Sequence, residues 1–221
     1  ICNSASVNFP IVIIASFAES SEAGYLFLAM KIMQVPVALV GRSVGQVYLS
    51  RAPDELREGN LALFSANLLR GLIKVGVGPI LFVGVVAQFT SALFFGSEWS
   101  RVGDLILWMT PWFIFQFAVS SLSMSLHVTG NQLLALFLQA SGLILRVGLT
   151  VLALYIAPSF LGEIYAIPGL LFYFVYFLCV CIVTKIPFRV SSFFNWSGLA
   201  MSAAWLLAAV LCAIGAAKLM G

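Results

Sequence analysis

Apolar runs of about bilayer length follow one another along nearly the whole chain, separated only by short polar turns. This feature limits the fold more than any other. A helix needs about 20 mostly apolar residues to cross the hydrocarbon of a membrane. In lipid every backbone N–H and C=O must be satisfied internally, which leaves helices or closed barrels. Barrel strands alternate in polarity over about ten residues, whereas these runs are continuous. Hydrophobic residues make up 62% of the 221-residue chain and charged residues 9%, against about 25% charge in soluble domains. So little polar surface excludes a water-soluble globule and a disordered chain. It also excludes a nucleic-acid module, which would need a basic patch on a soluble fold. The fold class expected is all-α, a polytopic transmembrane helical bundle.

The pattern places a short first span over residues 7–18 and a polar turn over 19–22. A second span follows over 23–50, with Pro36 kinking its middle. Residues 51–59 are the most charged stretch and read as a loop, with Pro53 at a helix start. Further helices are expected over 61–95, with an amphipathic beginning, and over 103–128, 131–156 and 163–184. Pro158 and Gly162 mark a turn. A basic, aromatic connector at 185–196 leads to an Ala-rich seventh helix over 198–219. The chain opens on Ile1 without a signal-type leader and reads as a piece of a longer polypeptide. Cys2, Cys179, Cys181 and Cys212 read as small packing residues rather than metal ligands.

Loop charge sets the topology. Alternate connectors hold Glu19 and Glu22, then Glu98, Arg101 and Asp104, then Glu163. The others hold Arg51 and Arg57, then His127, then Lys185 and Arg189. Nearly all the positive charge of the loops lies in the second set, which is therefore expected in the cytoplasm.

Five basic residues fall within the spans or their inner turns: Lys31, Arg42, Arg70, Lys74 and Arg146. Arg146 lies about 22 Å along its helix from Asn131. A charge at mid-membrane costs about 2.5–3.5 kcal/mol on insertion scales. Two readings stay open: anchors and buried pairs, or a hydrated cavity for an anionic ligand. Helical spacing favours the cavity. Lys31, Gln34, Arg42 and Gln46 share a stripe, as do Trp108, Trp112, Gln116 and Ser120, and Gln139, Arg146 and Thr150. The candidate substrate-binding residues are accordingly Lys31, Gln34, Arg42, Arg70, Lys74, Trp112, Gln116, Gln139 and Arg146, with Pro36 as hinge. His127 and the edge acids Glu98 and Asp104 read as helix-end residues. Walker and HExxH patterns are absent and one His makes a poor metal site. The chain is therefore read as a non-enzyme, with no metal and no cofactor.

The stretch AGYLFLAMKIMQVPVALVGRSVGQVYLSRA, residues 23–52, resembles the opening of the second half of the Wzx-type oligosaccharide and polysaccharide flippases. These belong to the multidrug/oligosaccharidyl-lipid/polysaccharide exporter superfamily. Gly24, Tyr25, Ala29 and Pro36 occupy the family's G-Y-x-x-x-A-(x)6-P places, and Tyr48 supplies the aromatic at the helix end. DELREG at 54–59, FFGSEW at 94–99 and the aromatic stretch at 108–139 extend the similarity, which covers roughly residues 7–185.

The resemblance implies a MATE-like second lobe of six helices over residues 1–185. Residues 186–221 add the connector and an extra C-terminal hydrophobic helix. It implies a missing N-terminal lobe, a bacterial inner-membrane location and alternating access. It implies, as substrate, an oligosaccharide linked to undecaprenyl pyrophosphate, moved for surface polysaccharide such as O-antigen. Family members are taken to hold the pyrophosphate with cavity cations, which maps onto the basic residues by region only. Partners are then membrane lipids and the lipid-linked glycan, with no nucleic acid. The rival readings are a multidrug exporter of the same superfold, which would need acidic cavity groups, and a membrane glycan-modifying transferase.

Overall fold

A computed structural model describes residues 20–156, 160–187 and 196–220. The expected span over 7–18, together with Glu19, Pro158 and Arg189, falls outside them. Every described element is helical. Helix α1 runs Ser20–Arg57. Helix α2 (Leu61–Leu72), a π-helical turn (Ile73–Val77) and α3 (Gly78–Phe95) make one continuous rod. A 3-10 turn (Ser97–Trp99) leads into α4 (Ser100–Leu122), followed by the short α5 (Ser125–Val128). Then come α6 (Gln132–Ile156), α7 (Leu161–Val183) and α8 (Trp196–Met220). Among the described residues six long helices form the bundle. Five of them are long and apolar enough to cross a membrane, while the apolar part of α8, Ala200–Ala216, is shorter. The chain is a multi-pass membrane helical bundle.

The joints follow from turn chemistry. At the end of α1 the Asn60 N–H bonds the Glu55 carbonyl at 2.8 Å and the Gly59 N–H bonds Leu56 at 3.2 Å. That is a Schellman ending, and it needs the left-handed φ of +78° that Gly59 supplies. Helix α7 ends the same way. Ile186 N–H bonds Cys181 at 3.0 Å and Lys185 N–H bonds Ile182 at 3.1 Å. Here the left-handed position belongs to Lys185, at φ +56°.

Two expected boundaries change. Residues 51–59 are not a loop: α1 continues to Arg57 with Pro53 inside it. Packing overrides the proline. Tyr48 and Ala52 are fully buried, and the Tyr48 hydroxyl pairs with the Ser65 hydroxyl of α2 at 2.7 Å. The expected 103–128 helix starts earlier and breaks after Leu122. At the break Ser120 donates to the Phe117 carbonyl at 2.9 Å and Ser123 to the Ser120 carbonyl at 3.1 Å. Such side-chain bonds compete with the helical ladder.

Helix α4 is the centre, packed by α1, α3 and α7; α6 flanks α7, and α8 flanks α3. Small residues let α3 and α4 close up. A side chain at Gly103 would run into the backbone of Ala87 and Gln88, and one at Gly84 into Thr110. On α6, Leu133, Phe137, Ile144 and Tyr155 point outward and are largely exposed, a face suited to lipid rather than water.

Candidate functional site

Three helix starts meet at one end of the bundle. Arg101 of α4 donates through Nη2 to Glu22 of α1 at 3.1 Å and to Glu163 of α7 at 2.7 Å. Its Nη1 lies 2.6 Å from the other Glu163 oxygen. This end fixes a depth scale. Arg57 closes α1, and Lys185 follows α7, at the opposite end of their helices.

The depth scale divides the five cations. Lys74 is 21 residues from Phe95 along one rod, or about 32 Å at helical rise. The hydrocarbon core is about 30 Å thick, so Lys74 reaches the far boundary and Arg70, a turn further, lies beyond it. Arg42, 20 residues from Glu22, is about 30 Å away and reaches the same boundary; its side chain lies outside the described residues. Lys31 is only about 14 Å from Glu22. Arg146 is about 21 Å from Gln132 and about 15 Å from Ile156. Lys31 and Arg146 are the two cations at depth.

Their surroundings differ. Lys31 is exposed on α1, with its ammonium 5.0 Å from the Phe27 ring centre. Among the described residues no carboxylate lies within ion-pair distance of it. Gln34, one turn on, and Pro36 are half-buried. Arg146 has no exposed surface at all. Its guanidinium carbon lies 4.8 Å from the ring centre of Phe172, 5.1 Å from Tyr173 and 5.2 Å from Trp112. The rings come from α4 and α7, so the cation of α6 is held in an aromatic cage between three helices. Such contacts are worth up to about 2 kcal/mol or more each when desolvated.

The cage is built by close packing. Trp112 is 1% exposed, stacks on Phe113 at 5.0 Å and meets Tyr165 edge-on at 5.5 Å. Gly169 of α7 leaves room for its indole, and Gly142 of α6 leaves room for the Phe172 ring. Thr150, one turn beyond Arg146, is buried. Gln139 faces the Tyr176 hydroxyl across the same helix pair.

The nominated residues thus fall into separate places. Trp112 and Arg146 come together, and Gln139 lies further along the same α6–α7 seam. Gln116 is half-buried on α4. Arg70 is half-buried, donating to the Asn67 side chain at 3.0 Å, and Lys74 is exposed, close to Gly198 of α8. Lys31 is on a different face from the cage. An apolar groove of about 210 Å³ between α1, α3 and α4, lined by Ile32, Phe82, Phe94 and Ile106 among others, contains none of them.

Sequence reasoning missed Phe172 and Tyr173, although a run of aromatics on a helix beside a buried arginine was their signal. It also missed the Arg101 triad, whose members sit on three connectors assigned to one side. Comparison of the chain with family models, with curated proteins and with solved structures gives no match.

Proposed function

We propose that this bundle is one lobe of a transporter that moves a polyprenyl-pyrophosphate-linked oligosaccharide across the bacterial cytoplasmic membrane by alternating access. One observation carries the reading: Lys31 is exposed at membrane depth with no acid in ion-pair range among the described residues. An ammonium in that position is costly against lipid tails, so that face of α1 borders water or an anionic ligand. Among the described residues all seven acids lie at helix ends or in turns, which favours an anionic cargo over the cationic drugs of a multidrug exporter. Arg42, Arg70 and Lys74, at the boundary with the basic loops, would receive the diphosphate from the inner leaflet. Lys31 would draw it inward along α1. The caged Arg146 would join the path when α6 and α7 part, offering paired donors to a phosphate. The resemblance of residues 23–52, 94–99 and 108–139 to the Wzx-type flippases supports the same cargo. On this reading the chain needs a companion lobe and is not an enzyme.

The test is leaflet-to-leaflet transfer of a lipid-linked glycan by the full protein in proteoliposomes. Lys31→Ala should reduce transfer at least tenfold at equal protein level, and Lys31→Arg should restore most of it. Full transfer by Lys31→Ala would overturn the reading.

A further inference from the structure

We propose that Glu22, Arg101 and Glu163 form a proton-released latch that holds the start of α1 against the α4–α7 pair. Among the described residues these are the only ion pairs that join different helices, since the remaining pair, Arg57–Asp54, is three residues apart within α1. The three side chains are 15–28% exposed, sheltered enough to hold a geometry and open enough to exchange protons with water.

The triad is unequal, and the inequality sets what a proton would do. Arg101 grips Glu163 through both oxygens, at 2.6 and 2.7 Å, the paired geometry that makes arginine–carboxylate bonds strong. Glu22 has one contact, at 3.1 Å. The Arg101–Glu163 pair is neutral on its own, so Glu22 is the excess charge and the triad carries −1. A proton taken from water onto the Glu22 carboxylate brings the triad to zero. It also replaces a charge-assisted bond with a neutral one, and it leaves the paired grip intact. Helix α1 is then released while α4 and α7 stay joined.

Among the described residues no second cation pairs with Glu22. Around Glu22, α4 presents Arg101 and α7 presents Glu163. Asp104, one turn further along α4, turns to Gln88 of α3, which donates to it at 3.3 Å. Glu98 is exposed on the connecting turn, and Glu19 lies outside the described residues. Tyr25, one turn along α1, packs edge-on against Trp99 at 5.3 Å and is the next contact to give. Gly162 leaves space for the Glu22 carboxylate beside the start of α7. The helix so latched is the one that bears Lys31, Gln34 and Pro36.

The test measures distances between spin labels on the full protein in liposomes, without substrate, so its outcome is independent of the transport reading. One pair, Ser21→Cys with Ile167→Cys, spans α1 and α7. A second, Leu107→Cys with Ile167→Cys, spans α4 and α7. Between about pH 8 and about pH 4, the first pair should gain a longer population and the second should stay fixed. Glu22→Gln should show the longer population already at pH 8 and lose the pH response. An α1–α7 distance that ignores pH in the otherwise native protein overturns the latch. So does joint lengthening of both pairs, or a Glu22→Gln variant that keeps the short distance.

Discussion

The cage around Arg146 makes a quantitative demand on stability. A cation at this depth costs about 2.5–3.5 kcal/mol on insertion scales. Three rings at 4.8–5.2 Å, at about 0.5–2 kcal/mol each, return roughly 1.5–6 kcal/mol. The two sums nearly cancel. Arg146→Met, which keeps much of the volume and removes the charge, should therefore leave stability within about 3 kcal/mol of the parent protein. Phe172→Leu keeps an apolar side chain and removes one ring, the one nearest the cation, and should cost about 2–3 kcal/mol, roughly 1 for packing and the rest for the lost contact with the cation. The informative quantity is the coupling between them. In a double-mutant cycle, read by reversible unfolding of the purified chain in detergent, Phe172→Leu should cost about 1–2 kcal/mol more in the parent protein than in the Arg146→Met background. Coupling below about 0.3 kcal/mol, the usual limit of additivity, would show that the ring does not stabilise the cation and would refute the cage as its compensation.

Other perturbations follow from the same contacts. Gly169→Ala would drive a Cβ into the Trp112 indole; because Trp112 is packed on every side, the variant should lose about 1–3 kcal/mol of unfolding free energy. Lys185→Gly should gain about 1 kcal/mol, seen as a higher Tm in detergent, because glycine adopts the φ of +56° without the clash a side chain makes. In a background without native cysteines, a reagent confined to the outside should label Glu98→Cys and spare Arg57→Cys; labelling of both would reject the topology read from loop charge.

What was legible in the sequence was what solvent dictates. Run length and polarity fixed five spans because no side-chain detail alters how many residues a bilayer needs. Boundaries were harder where packing competes with local preference. Pro53 marks a helix start by its own chemistry, yet buried Tyr48 and Ala52, within five residues before it, carry α1 through it. The polar stripes were legible as spacing but not as a shared space. On α4, Trp108 and Trp112 are four residues apart, and the first is 57% exposed while the second is 1% exposed. A four-residue step overshoots a helical turn, and the environment around α4 changes from helix to helix, so one stripe crosses a lipid face and a core. The five cations looked alike in sequence for a related reason. Depth depends on where a rod ends, and the 35-residue rod Leu61–Phe95 is longer than the hydrocarbon core, so its first turns leave the membrane and take Arg70 and Lys74 to the boundary. Lys31 and Arg146 alone stay inside among the cations described. They are held in opposite ways, one open on α1 and one closed among rings. A path for an anion through this lobe would have to join them, and the helix best placed to move is the one whose start rests on a single contact to Arg101.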